Sequence, residues 1–218
     1  MRAFPRSKRA RTLGAMGLAM SLLAIAIPIR AGAEDHDSTS FPLFVNPAVA
    51  NCLQRSNGPS PSVTATVEHG DLNDTLELTL KHFKPNLAFD LFTVQNSNQQ
   101  ANGQPVAGFT NFGLAWYQSD VEVNGGGNGS VEIQTILLNQ IFGFDPAVGL
   151  APTNTFHVGF WFNDPADAAA CGFTGSTPFN GEHHAGPLAF ITRPDANTNL
   201  GPLCTNPDTS HTPATCNP

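Results

Sequence analysis

From residue 62 to residue 193 the chain repeats one pattern: short runs of alternating apolar and polar side chains, separated by turns. Residues 63–68 (VTATVE) alternate cleanly. Residues 75–83 set Leu76, Leu78 and Leu80 on one side and Glu77, Thr79 and Lys81 on the other. A period of two is what a half-buried strand requires, because successive side chains point to opposite faces. Residues 87–95 carry Phe and Leu on both faces, as a central strand covered from two sides does. Residues 113–123 and 130–138 form a hairpin around the turn NGGGNG at 124–129, where positive φ costs little. In 154–162 the expected core positions are Phe156, Val158, Phe160 and Phe162, and 186–192 is the last strand. With turn signals about every 10 residues, the pattern predicts an all-β fold, an antiparallel immunoglobulin-like β-sandwich of about 7–8 strands.

One short helix interrupts the strands. Asp164 is placed to cap it, Pro165 suits its first position, Asp167 lies in its first turn and Gly172 can end it. Residues 34–61 are polar and broken by Pro42, Pro47, Pro59 and Pro61, and read as an irregular lead-in. Residues 194–218 are rich in Pro, Asn and Thr and read as a tail. At the other end, a basic stretch is followed by the apolar run LGAMGLAMSLLAIAIPI and by Ala31-Gly32-Ala33. That order of features defines a signal peptide over 1–33, with cleavage before Glu34 and a secreted product. The remainder holds no second apolar run of spanning length, so no membrane span is expected after cleavage.

Removing 1–33 changes the charge picture. The whole chain carries −7, but six of its 10 Lys and Arg precede residue 34; the four that remain, Arg55, Lys81, Lys84 and Arg193, face all 17 Asp and Glu (4 − 17 = −13). A nucleic-acid-binding surface needs a basic patch that these four cannot make. All four cysteines, Cys52, Cys171, Cys204 and Cys216, also follow the cleavage site. An even count in an exported chain reads as two disulfides, and four cysteines allow three pairings. The short loop between Cys204 and Cys216 is entropically the easiest to close, which would leave Cys52 for Cys171. No C-x-x-C spacing suggests thiolate zinc.

Candidate chemistry is sparse. Glu182, His183 and His184 form the densest polar cluster, and with His157 or His82 they could hold a divalent transition metal. Adjacent histidines on an extended chain point apart, so at most one of the pair would face such a site. The competing reading is a polar loop with no cofactor. His82 shares the phase of Leu80 and is expected to face inward unless a bulge intervenes. His157 shares a face with Gly159 and Trp161, which is either a second packed surface or a shallow aromatic platform. Trp116, Tyr117 and Trp161 could stack on sugar rings if exposed together, although aromatics in such folds more often pack inside. Nucleophile motifs of the G-x-S-x-G or H-E-x-x-H kind do not occur. Asn73-Asp74-Thr75 and Asn128-Gly129-Ser130 fit the glycosylation sequon.

Two stretches, 159–173 (GFWFNDPADAAACGF) and 177–203 (TPFNGEHHAGPLAFITRPDANTNLGPL), resemble segments of uncharacterised secreted bacterial β-sandwich proteins, a resemblance that implies no activity. The strand layout resembles immunoglobulin-type sandwiches generally, which host many functions. The antibody pattern of two cysteines flanking a strand tryptophan is not matched. The expected role is a secreted, non-catalytic extracellular module with a binding, adhesion or surface-structural part to play. Its partner would be an extracellular protein, a glycan or a cell-surface component. The alternative is a metal-binding protein or metal-dependent enzyme using the Glu182-His183-His184 loop.

Overall fold

The computed structural model describes residues 37–137, 141–147, 149–173 and 186–217. The expected signal segment 1–33 and the Glu182-His183-His184 loop lie outside the described residues.

Eight antiparallel strands form one hydrogen-bonded array in the order β5-β4-β9-β10-β1-β2-β3-β6. They are β1 (Ser38–Val45), β2 (Ser62–Glu68), β3 (Asp74–Lys81), β4 (Ala88–Val94), β5 (Ala115–Glu122), β6 (Gly129–Thr135), β9 (His157–Phe162) and β10 (Leu188–Ile191). Two small ribbons accompany them, β7 (Ile141–Asp145) with β8 (Leu150–Thr155), and β11 (Pro207–Asp208) with β12 (Thr215–Cys216). Among the described residues, helix is confined to α1 (Ala50–Leu53), preceded by a single 3₁₀ turn, and α2 (Pro165–Ala169). The all-β antiparallel class expected from the alternating pattern is what the chain adopts.

The array curls on itself. Its outermost strands, β5 and β6, are consecutive in sequence and joined by the turn at 124–128, and Thr135 Oγ1 donates to Gln118 Oε1 across them at 2.9 Å. Strand β1 makes the opposite corner: residues 38–43 pair with β2, whereas Phe44 and Val45 pair with Ile191 and Phe190 of β10. The two halves therefore bury a common core. Leu76, Leu78 and Leu80 of β3 meet Phe89 and Leu91 of β4 and Val158, Phe160 and Phe162 of β9 in one cluster. Phe83 sits among Phe89, Phe160 and Phe190, with ring centroids 5.8, 6.4 and 5.4 Å away. Each such buried ring contributes a few kcal/mol, so Phe83, Phe89 and Phe160 form the energetic centre of the domain.

Strand β9 is buried at every position. Its second face, with that of β4 and β10, packs Trp161, Ile191, Val94 and Leu188 against Phe112. The loop over 95–114 is thus laid across the outside of the central strands. The Trp161 end of the His157 face is therefore a second packed surface and not an aromatic platform.

Three local readings change. The lead-in 34–61 is not irregular, since it contains β1, in which Phe41 and Leu43 are buried two residues apart. Pro42 disguises that strand, and it is accommodated because over 38–43 the register places a partner on only one side. His82 does not face inward. Its φ of +67° lies in the left-handed region, which reverses the phase at the end of β3, leaving His82 exposed and sending Phe83 into the core. The expected strand 154–162 breaks at Phe156 into β8 and β9, so Phe156 is only half-buried.

The helix and the cysteines follow the sequence reading. Asp164 Oδ1 accepts from Ala166 N at 2.8 Å, Pro165 opens α2, and Gly172 beyond it has φ +94°. Cys52 is bonded to Cys171 and Cys204 to Cys216. The first disulfide ties α1 to the end of α2; the second closes the tail.

Candidate ligand-binding cleft

At the end of the array where β4 stops and β9 begins, a cleft of about 640 Å³ opens between the 95–111 loop and the tail. Its floor is built from buried polar groups. His157, 3% exposed, pairs in register with Val94, and its Nδ1 lies 2.9 Å from Thr192 Oγ1. Thr192 Oγ1 also accepts from Val158 N at 3.2 Å, and the Thr192 carbonyl accepts from Ser97 Oγ at 2.8 Å. Gln99, also buried, donates through Nε2 to the Val45 carbonyl at 3.1 Å, and its Oε1 accepts from Arg193 Nε at 2.8 Å. These bonds fix the floor, because each buried polar group with a partner would cost free energy to release. Burial pushes the His157 imidazole down to about 4, with its bond to Thr192 opposing the shift. It is therefore a neutral ring at ordinary pH.

The walls carry exposed amides and a hydroxyl. Asn96, Gln100, Thr110 and Asn111 line the cleft from the 95–111 loop and are exposed. Asn199 faces them, with Pro213 and Ala214 from the disulfide-closed tail. Asp195 shapes that second wall: its Oδ1 accepts from the Asn197 and Thr198 amides at 2.9 Å each, and these bonds hold its carboxyl below the usual range. Asn199 then takes φ +60°, a conformation asparagine tolerates better than most residues. Gly201 closes the floor from beneath. A Cβ there would stand 2.1 Å from the Phe156 carbonyl oxygen and 2.9 Å from His157 Nδ1. Among the described residues lining the cleft there is no Asp, Glu, Lys or Arg, and the one titratable side chain among them is His157.

The sequence-based candidates are separated. Trp161 is fully buried, edge-to-face with Phe92 and Phe112 at 5.4 and 5.0 Å. Trp116 and Tyr117 remain on β5, 53% and 46% exposed, so the three aromatics do not form one platform. Tyr117 Oη donates to Asp120 Oδ1 at 2.9 Å, and partial burial with that carboxylate pushes its phenol up to about 12. Trp116 shares a groove of about 620 Å³ with Ile136 and Phe142 instead. Of the metal candidates, His157 is described and sits on the cleft floor, while Glu182, His183 and His184 lie outside the described residues. His82 cannot serve as its companion: it precedes β4, whereas His157 pairs with the last residue of β4, about 20 Å further along at the usual strand rise. Among the described residues no group of three or more His, Cys, Asp or Glu side chains is placed to hold a metal.

The cleft itself was not visible in the sequence. The loop 96–105 reads as polar, but its convergence with Asn199 and Ala214 is made by the fold. No family model, no curated protein and no solved structure matches the chain.

Proposed function

We propose that this is a secreted, non-catalytic module that binds a component of the cell surface through the cleft above His157. The observation that carries the reading is a polar floor held by hydrogen bonds among His157, Thr192, Ser97, Gln99 and Arg193 beneath a rim of exposed amides. Pre-formed concave sites with a few placed polar groups are the usual form of a ligand site, and binding residues commonly lie on loops held by a β scaffold. Catalysis finds little support there. General acid–base work needs a group that titrates near the working pH, and His157 is held neutral down to about 4. Export rests on the 1–33 segment and is supported by two disulfides, which persist in oxidising compartments. Among the described residues no helix is long and apolar enough to cross a membrane.

Co-sedimentation of the mature protein with a particulate envelope preparation from the producing cells tests the reading. The wild type should pellet with the particles, and Ala214→Trp, which fills the mouth of the cleft, should stay in the supernatant. Wild-type protein left in solution, or equal retention of both, would overturn it.

A further inference from the structure

Resting on that binding reading, we infer that the ligand is a neutral carbohydrate. Three features of the cleft point to this chemistry. First, its rim is made of amides and hydroxyls: Asn96, Gln100, Thr110, Asn111 and Asn199. Gln100 Nε2 donates to the Pro105 carbonyl, and Asn111 is held by Thr110 Oγ1 and the Gly113 amide. Asn96 and Asn199 therefore carry the weight, each presenting a donor and an acceptor side by side to a sugar hydroxyl acting in both senses. Secondly, no charged side chain lines the described cleft and its histidine is neutral. Arg193 and Asp195 stand behind the floor and the wall, bonded to Gln99 and to the Asn197 and Thr198 amides. A phosphate, a carboxylate or an amine would therefore give up hydration in the cleft without a lining partner of opposite charge, a cost that uncharged hydroxyls escape. Thirdly, Phe109 and Phe156 are half-buried in the walls, leaving ring surface for the C–H face of a pyranose.

An extended peptide fits less well. Peptide capture by strand addition needs a free strand edge, whereas this cleft is walled by loops and by the ends of β4 and β9. The short disulfide loop acquires a role in this arrangement. Bonding Cys204 to Cys216 holds Pro213 and Ala214 opposite the 95–111 loop, so the tail acts as the second jaw of the cleft.

The test compares retention on the envelope preparation after protease digestion, after periodate oxidation of its sugars, and in concentrated salt. Retention should survive protease and salt and be lost after periodate. Soluble neutral oligosaccharides released from the protease-treated particles should compete, and Asn96→Ala and Asn199→Gly should each weaken that competition about tenfold, the scale of one or two lost hydrogen bonds. Both variants should keep the wild-type circular dichroism spectrum and melting temperature. Loss of retention after protease with survival after periodate would overturn the carbohydrate inference while leaving a binding module of another specificity. Loss in salt would overturn the neutrality of the ligand. Absence of any wild-type retention would remove both readings.

Discussion

His157 and Thr192 are buried neighbours, 2.9 Å apart between Nδ1 and Oγ1, and their bond joins the first residue of β9 to the residue after β10. The imidazole is thereby a structural base plate whose protonation the fold resists. Its folded value of about 4 lies below the ordinary 6.5, so between these values the unfolded chain takes up a proton that the folded chain does not. Stability from this group is complete above pH 6.5 and is lost as pH falls towards 4. The loss is on the order of 3 kcal/mol. Urea unfolding at pH 7 and pH 4.5, wild type against His157→Gln, measures it: the wild type should weaken much more than the variant. Equal weakening would show that the slope arises elsewhere.

Gly201 should tolerate no side chain. A methyl group there would drive into the Phe156 carbonyl and the His157 ring, and overpacking of this kind costs about 1–3 kcal/mol. Gly201→Ala should therefore lower the denaturation midpoint and also reduce envelope retention, because the floor must shift. By contrast, Gly125→Ala, at a site with open space around the added Cβ, should leave retention unchanged.

The two disulfides should separate in effect. Replacing Cys52 and Cys171 with Ala removes a bridge between residues 119 apart that pins α1 to the core, and should cost about 2–5 kcal/mol. Replacing Cys204 and Cys216 opens a loop spanning 12 residues. The domain should then keep most of its stability while the cleft loses its second wall, so thermal melting and retention should report on different bridges.

Much of the fold was legible because burial writes itself into a period of two. Leu76, Leu78 and Leu80 announced β3, and Phe and Leu on both faces announced the central position of β4. The capped helix was legible from Asp164 and Pro165. What escaped was whatever broke the period. Pro42 hid β1, since its tolerance depends on an unpaired side that only the assembled array reveals. His82 was assigned the wrong face because one residue of positive φ reverses every phase after it. For Trp161 packing inside was the favoured reading, but the platform stayed open because the sequence does not say that the 95–114 loop folds back to cover it with Phe112. The cleft is harder still, as its rim joins Asn96 to Asn199 across a hundred residues of chain, through contacts no local pattern encodes.

The central claim is that binding occurs at the cleft above His157, and residue-resolved nuclear magnetic resonance of side-chain amides tests it most directly. Soluble fragments of the protease-treated envelope would be titrated into labelled mature protein. The account predicts saturable shifts in the side-chain amides of Asn96, Gln100, Asn111 and Asn199, with Gln134, which lines the Trp116 groove, and the Trp116 indole unmoved. Shifts confined to Trp116 and Gln134, or no shifts at saturating fragment, would contradict it.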